Sequence, residues 1–235
     1  RLSPRELDQI RDHSGSRRVF FTVDVSAEAA NHAQRMGAET LKIGPLEGIG
    51  VSALNESTSP EPVESDPARQ VAVLIYTSGT TGTPKGVMLT HENLLFSART
   101  TALLRKMDNR DKLYVVLPIS HIVGVSLTLM TLMTGGTVRL VSKYDPAALA
   151  KAIAEEGITI LNGVPATYQR LLEYKTLSGV PKLNKGSLRY IGVAGAPLDP
   201  DLKSRVEAEL GLSLLNGYGI TECAPGISGV RMEMP

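Results

Sequence analysis

The sequence Tyr76-Thr-Ser-Gly-Thr-Thr-Gly-Thr-Pro-Lys-Gly-Val87 begins at the last residue of the apolar, β-branched run 71–76. Such a run predicts a strand that is buried on both faces. Gly79 and Gly82 allow the loop after it to turn tightly and to bring its N–H groups close to a ligand. The serine and threonine hydroxyls can donate hydrogen bonds to phosphate oxygens, and Lys85 adds a mobile positive charge. The segment therefore predicts a strand followed by a loop that binds a polyphosphate.

The loop differs from a Walker A loop, which requires Gly-x4-Gly-Lys-Ser/Thr. Pro84 stands five residues after Gly79, and a glycine follows Lys85. A polar surface turn between two strands is the alternative, but twelve residues of this composition favour the phosphate site. The segment resembles the signature loop of the adenylate-forming superfamily, which includes acyl-CoA synthetases, peptide-synthetase adenylation domains and luciferases. The resemblance implies that ATP is held by Lys85 and by the loop residues Thr77, Ser78, Gly79, Thr80, Thr81 and Gly82.

The length and composition limit the classes to which the protein can belong. The chain has 235 residues, with 25 Lys and Arg against 24 Asp and Glu, and a net charge of +1. This length allows one large domain or two small ones, and the balanced charge gives no indication of nucleic-acid binding. The single cysteine, Cys223, excludes an internal disulfide and is typical of a reducing compartment. The longest apolar run, residues 122–133, is too short to span a bilayer, and there is no signal-peptide pattern. These features predict a soluble, cytoplasmic protein without a transmembrane segment.

Residues 1–54 predict a partial α/β segment. Ser3 can cap a helix that has Pro4 in its first turn, and a strand, a second helix and a short strand at residues 41–43 follow. This order of elements is typical of a parallel sheet. Residues 55–70 are rich in Ser, Glu and Pro, which predicts a flexible loop.

Residues 71–235 predict an α/β nucleotide-binding subdomain. Apolar strand patterns alternate with amphipathic helix patterns, and the connections between them are short. The pattern predicts a doubly wound, mainly parallel sheet flanked by helices, with ligands at the carboxyl ends of the strands. The predicted strands cover residues 71–76, 87–89, 112–117, 137–141, 158–161, 188–193 and 212–215.

Asn216-Gly-Tyr-Gly-Ile-Thr-Glu222 follows one of these strands. Its two glycines free the backbone to turn and to present the Tyr218 ring as a stacking surface for a base. Glu222 offers carboxylate oxygens to a hard cation such as Mg²⁺. An ordinary glycine-rich turn is the alternative reading of this segment alone. The segment resembles the superfamily's Tyr-Gly-x-Thr-Glu motif, which implies that Tyr218 stacks on adenine, that Thr221 contacts phosphate, and that Glu222 and Thr77 hold Mg²⁺. By the same resemblance, the nucleotide site includes Asn216, Gly217 and Gly219.

Two shorter segments also follow predicted strands. Residues 192–198 read Gly-Val-Ala-Gly-Ala-Pro-Leu, which alone indicates a tight strand-to-helix turn. They resemble the family's adenine loop, which implies a role for Gly195, Ala196 and Pro197. Pro118-Ile-Ser-His121 resembles the Pro-x-x-His-x-x-Gly motif of acyl-CoA and aryl-CoA ligases, in which the histidine orients the carboxylate. A structural histidine at a helix start remains the alternative for His121.

The resemblance implies a two-step reaction. A carboxylic acid, fatty or aryl, reacts with ATP to give an acyl-adenylate and pyrophosphate, and the acyl group then passes to coenzyme A. Lys85, His121, Thr221 and Glu222 are the implied catalytic residues, and the family places such enzymes in fatty acid metabolism. A homodimer of the full-length enzyme is a further expectation.

Two alternatives stay open. A peptide-synthetase adenylation domain is one, although such domains usually carry an aspartate after a Phe-Asp pair to hold the substrate amine, and this chain has Ile119-Ser-His121 there. A nucleotide-binding or acyl-adenylate-binding module without turnover is the other.

The resemblance covers roughly residues 71–230 and extends to the front section. The family's ribose-binding Thr-Gly-Asp motif, its hinge and the lysine of its C-terminal lid domain have no counterpart before Pro235. We therefore expect the chain to be part of the large N-terminal domain of an adenylate-forming enzyme, and to be inactive on its own.

Overall fold

The computed structural model describes residues 2–77 and 84–233. The chain forms two compact units. The first unit contains residues 1–64 and 76–86, and the second contains residues 65–75 and 87–235. Among the described residues, no helix has both the length and the apolar surface needed to cross a membrane.

The first unit combines two helices with a small antiparallel sheet. Ser3 caps the first helix as predicted, because its hydroxyl accepts a hydrogen bond from the Glu6 N–H at 3.3 Å while the Glu6 carboxylate accepts from the Ser3 N–H at 2.7 Å. The helices are α1 (Pro4–Ser14) and α2 (Ala27–Arg35), and the strands are β1 (Phe20–Thr22), β2 (Glu39–Ile43) and β3 (Leu46–Val51).

The parallel sheet predicted for this region is wrong. β3 lies between β1 and β2 and is antiparallel to both. The chain reverses at Gly44, whose φ of 57° places it in the left-handed region, and the residues after it return alongside β2 as a hairpin. An antiparallel sheet results because a hairpin joins neighbouring strands without a crossover helix.

The second unit contains a six-stranded sheet in the order β11-β10-β9-β8-β6-β7. Neighbouring strands are parallel except for β11, which is antiparallel to β10. This arrangement confirms the predicted doubly wound, mainly parallel sheet. The strands are β6 (Lys112–Val115), β7 (Thr137–Leu140), β8 (Ile160–Gly163), β9 (Tyr190–Val193), β10 (Leu214–Gly219) and β11 (Gly226–Gly229), and the helices are α3 (His91–Leu104), α4 (Ile122–Met133), α5 (Pro146–Glu155), α6 (Pro165–Leu177) and α7 (Pro200–Leu210).

Both faces of this sheet are covered by helices. Successive strand residues point to opposite faces, so Leu161 and Ile191 pack against α5, α6 and α7, whereas Ile160 and Tyr190 pack against α3 and α4. This double coverage explains why the central strands read as continuous apolar runs.

Strands β4 (Val71–Thr77) and β5 (Lys85–Thr90) form a separate two-stranded sheet. The prediction that residues 71–76 are buried on both faces is wrong. Of these six residues only Ile75 is buried, and Leu74 is 39% exposed. The described β4 pairs with β5 alone, so it lacks the two covering layers of a central strand.

A partly buried ion pair, which we call the Asp111–Arg189 cluster, joins the amino ends of β6 and β9. The Asp111 carboxylate accepts hydrogen bonds from Arg189 Nε at 2.8 Å, from Arg189 Nη2 at 2.5 Å and from the Thr159 hydroxyl at 2.7 Å. Burial alone would raise the pKa of Asp111, but the hydrogen bonds from Arg189, from the Asp108 N–H and from Thr159 outweigh it and hold that pKa below its usual value. The Asp111 carboxylate is therefore ionised and accepts hydrogen bonds from several donors.

Candidate functional site

A cavity of about 700 Å³ opens in the second unit. Its walls come from α3, from the start of α4 and from the carboxyl ends of β8, β9 and β10, which is the edge where parallel α/β sheets bind ligands. Three of the segments that the sequence singled out contribute to this wall. The predicted site residues that line the cavity are His121, Gly195, Asn216, Gly217, Tyr218, Gly219, Thr221 and Glu222.

The segment Asn216–Glu222 lies on a hairpin made by β10 and β11. Tyr218 pairs with Ser228, and the register is irregular between Tyr218 and Gly219. Gly219 fits only without a side chain, because a Cβ there would lie 2.1 Å from the carbonyl oxygen of Pro225. Tyr218 is 61% exposed and borders the cavity, so its ring is accessible to a ligand.

Glu222 lies in a single 3-10 turn, Thr221–Cys223, that follows β10. Its side chain is exposed and, within the part of the chain that the structure describes, it has no hydrogen-bond or ion-pair partner. The same residues contain no group of three acidic, histidine or cysteine side chains that could hold a metal. One free carboxylate fits Mg²⁺, which proteins often hold through one or two carboxylates while substrate phosphates supply further oxygens.

His121 caps helix α4. Its Nδ1 accepts a hydrogen bond from the Val123 N–H at 3.3 Å, so a neutral imidazole carries its proton on Nε2 and can donate it to a ligand. The structural role and a ligand contact are compatible here, because each uses a different ring nitrogen and His121 also lines the cavity.

Gly124, the last residue of the same motif, allows a close approach of α4 to the preceding loop. A Cβ at Gly124 would lie 2.1 Å from the carbonyl oxygen of Pro118. We expect Gly124→Ala to lower the free energy of unfolding by about 2 kcal/mol, because backbone has to move to admit the methyl group. Urea denaturation measures this loss. Gly226→Ala is the control, because a Cβ there meets no described residue within 4 Å; equal stability of the two variants would contradict the packing argument.

The segment 192–198 contributes to the cavity only in part. Gly195 lines it and has a φ of 85°, a left-handed conformation that favours glycine. Ala196 and Pro197 are exposed and are absent from the lining. The structure therefore brings Gly195 to the cavity wall and leaves the two residues after it outside.

The signature loop is described only at its two ends. Ser78, Gly79, Thr80, Thr81 and Gly82 lie outside the described residues. Thr77 is the last residue of β4, and Lys85 is the exposed first residue of β5; both belong to the first unit.

Tyr76 lies next to Thr77 and packs close to Gly86, which follows Lys85. Its hydroxyl forms a hydrogen bond with Nδ1 of His13 at 2.7 Å, and its ring lies 3.2 Å from where a Cβ of Gly86 would be. Nothing in the sequence around His13 indicated this contact.

The cavity residues that the sequence analysis did not single out include Arg105, Asn162 and Tyr190. Asn162 had a detectable signal, since it is a polar residue that ends the apolar run of β8. Arg105 and Tyr190 had none, because an arginine after a helix and a tyrosine in a strand are both common.

The chain is similar to known CoA synthases and CoA ligases. The chain is 33% identical over 228 residues to a feruloyl-CoA synthase of Amycolatopsis sp, a match that covers 97% of this chain and 44% of that protein. It is 32% identical over 163 residues to a long-chain-fatty-acid–CoA ligase of Bacillus subtilis (strain 168), with 68% and 29% covered. The chain thus spans less than half the length of these relatives.

Two solved structures are similar. The ATP-bound MatB from Rhodopseudomonas palustris superposes with a TM-score of 0.65 at 30% identity, over 76% of this chain and 34% of that one. The N-terminal domain of FACL13 from Mycobacterium tuberculosis has the same fold, with a TM-score of 0.75 at 23% identity, over 99% of this chain and 57% of that one. The family model of AMP-binding enzymes matches residues 1–235, and the chain therefore belongs to this adenylate-forming family.

Proposed function

We propose that this chain provides the nucleotide-binding and acid-binding part of an ATP-dependent, AMP-forming acyl-CoA ligase. The observation that carries the proposal is the cavity of the second unit, which borders on His121, on Gly195 and on the segment Asn216–Glu222 at once. The similarity to feruloyl-CoA synthase and to long-chain-fatty-acid–CoA ligase supports CoA as the acceptor, and the similarity to an ATP-bound MatB supports ATP as the nucleotide.

In the proposed reaction, an oxygen of the substrate carboxylate attacks the α-phosphorus of ATP. The bond from that phosphorus to the bridging oxygen breaks, pyrophosphate leaves, and an acyl-adenylate remains. The CoA thiol then attacks the acyl carbon and releases AMP. In-line displacement of this kind depends on positioning and charge stabilisation more than on covalent catalysis by the protein.

The chain's own residues divide this work. Tyr218 stacks on the base, His121 donates Nε2–H to the carboxylate, and Glu222 would hold Mg²⁺. Lys85 and Thr221 contact phosphate oxygens. Bound Mg²⁺ supplies positive charge that offsets the charge developing on the phosphates.

The function, like each kinetic prediction that follows, is tested on the full-length protein, here by following pyrophosphate and AMP release over a panel of carboxylic acids, with and without CoA. We expect pyrophosphate to depend on the acid and ATP, and AMP release to require CoA. Release of pyrophosphate that depends on the acid, without formation of a thioester with CoA, would contradict the ligase assignment. Binding of ATP without turnover of any acid would favour a binding module.

Lys85→Ala tests the phosphate role of the signature loop. We expect kcat/KM for ATP to fall by the equivalent of about 1.5–3 kcal/mol, the usual loss for one charge-assisted hydrogen bond. Lys151→Ala is the control, because Lys151 is an exposed lysine of α5 outside the cavity lining. Steady-state kinetics with ATP as the varied substrate compares the two variants. An unchanged kcat/KM for ATP in Lys85→Ala would show that Lys85 does not bind the phosphates.

Tyr218 is tested by a pair of variants. Tyr218→Phe keeps the ring and should leave nucleotide affinity nearly unchanged. Tyr218→Ala should weaken AMP and ATP alike by about 1–3 kcal/mol, the value of stacking one base on an aromatic ring. Calorimetric titration with both nucleotides measures this; a large loss in Tyr218→Phe would show that the hydroxyl, and not the ring face, makes the contact.

A further inference from the structure

Arg105 brings a positive charge to the wall of the cavity. Its guanidinium carbon lies 5.0 Å from the ring centroid of Tyr190, and its Nη1 donates to the sulfur of Met130 at 3.4 Å. Within residues 2–77 and 84–233, no carboxylate pairs with it. A guanidinium has five N–H donors, so most of the donors of Arg105 remain for a ligand.

The Asp111–Arg189 cluster fixes the backbone that carries this charge. Arg189 donates Nη1 to the carbonyl of Arg105 and Nη2 to the carbonyl of Lys106, both at 3.0 Å. The carbonyls after helix α3 are thus held by an arginine that is itself bound to a buried carboxylate. Arg105 therefore extends from an anchored backbone, as a preorganised binding group requires.

Asn162 continues the same wall. The residue is 7% exposed, and its buried Nδ2 has no hydrogen-bond partner among the residues that the structure describes. A Cβ at Gly192 would lie 2.5 Å from the Asn162 side-chain oxygen and 3.0 Å from the Tyr190 hydroxyl, so the amide and the hydroxyl meet over the same glycine. A buried donor without a partner is unfavourable, and a ligand oxygen would relieve it.

We propose that this wall, formed by Arg105, Tyr190 and Asn162, recognises a second anionic group at the far end of the acid. The preferred substrates are then dicarboxylic acids rather than simple fatty acids. A carboxylate matches the planar fork of Arg105 and can also accept from Asn162. Apolar lining residues such as Leu127 and Leu215 suit the methylene segment between the two carboxylates. This inference rests on the proposed function, because it takes the cavity as the acid site.

The test compares monocarboxylic, ω-hydroxy and dicarboxylic acids that are matched in carbon number. We expect kcat/KM for the best dicarboxylic acid to exceed that of its monocarboxylic partner by about tenfold or more, equivalent to one charged contact. Arg105→Met should abolish this preference, and Arg105→Lys should restore part of it. Asn162→Asp should also abolish it, because a carboxylate on this wall would repel the second anionic group. The control is Arg99→Met, an exposed arginine of α3 outside the cavity lining, which should leave the preference intact.

Two failures are distinguishable. Faster turnover of monocarboxylic acids throughout the series, with a ratio unaffected by Arg105→Met, overturns the inference and leaves the ligase function standing. No turnover of any acid contradicts the proposed function. In that case calorimetric binding of the same matched acids to the parent protein and to Arg105→Met decides the role of the wall, since binding requires no catalysis; equal binding of both acid classes overturns it.

Discussion

Replacing Glu222 by glutamine is expected to lower kcat/KM for MgATP by about 100-fold and to change AMP affinity by less than about twofold, because a bound cation contributes several kcal/mol of charge stabilisation and AMP does not require it. Glutamine keeps the size of the side chain but removes the charge that Mg²⁺ needs. The carboxylate has no other described partner, so its loss should not disturb the 3-10 turn.

The measurement is calorimetric binding of AMP and MgATP, combined with pyrophosphate release. Glu92→Gln is the matched control, because Glu92 is an exposed carboxylate that lines the same cavity from α3. If Glu222→Gln loses AMP as severely as MgATP, the glutamate stabilises the turn and the metal role is wrong.

Asp111→Asn is expected to lower the free energy of unfolding by about 3 kcal/mol at neutral pH, the lower end of the range for breaking a buried ion pair. The lower end applies because the Arg189 side chain keeps 32% of its surface in water. Asparagine fills the same space, so the loss reports charge and hydrogen bonding rather than a cavity. Asp201→Asn is the control, because Asp201 forms an exposed pair with Arg205 that should contribute at most about 1 kcal/mol.

The same prediction has a definite pH dependence. The folded-state pKa of Asp111 lies below its usual value, so its stabilisation is complete above the unfolded-state pKa and is lost as the pH falls through the folded-state pKa. The difference in stability between the parent protein and Asp111→Asn should therefore shrink in acid. Urea denaturation at neutral and acidic pH measures it, and a difference that grows in acid would show that Asp111 is not ionised in the fold.

The second unit was predictable from sequence because its elements carry strong local signals. Asp145 with Pro146, and Asp199 with Pro200, mark helix starts, and both aspartates accept hydrogen bonds from the first-turn N–H groups as expected. The first unit was not predictable in the same way. β3 contains Glu47 and two glycines, so its sequence has little of the β-branched content that indicates a strand.

The candidate site also has a part that the sequence indicates and a part that it does not. The segment Asn216–Glu222 was found because its functional groups are contiguous in sequence. Arg105, Asn162 and Tyr190 come from three elements that only the packing of α3 against β8 and β9 brings together. A hydrophobic pattern indicates which residues are apolar. It does not indicate which polar side chains from distant elements line the same cavity.

The way β10 pairs with its two neighbours indicates that its two halves differ in mobility. Its residues 214–216 pair with β9, whereas residues 217–219 pair with β11, an edge strand whose four residues are all exposed. Local opening of a sheet begins at such edges, so the amides of residues 217–219 should exchange with deuterium far sooner than those of β8 or β9. A nucleotide that stacks on Tyr218 would then slow this exchange. The hairpin would act as a part of the protein that becomes ordered as its ligand arrives, and its amides would report occupancy without any chemical step.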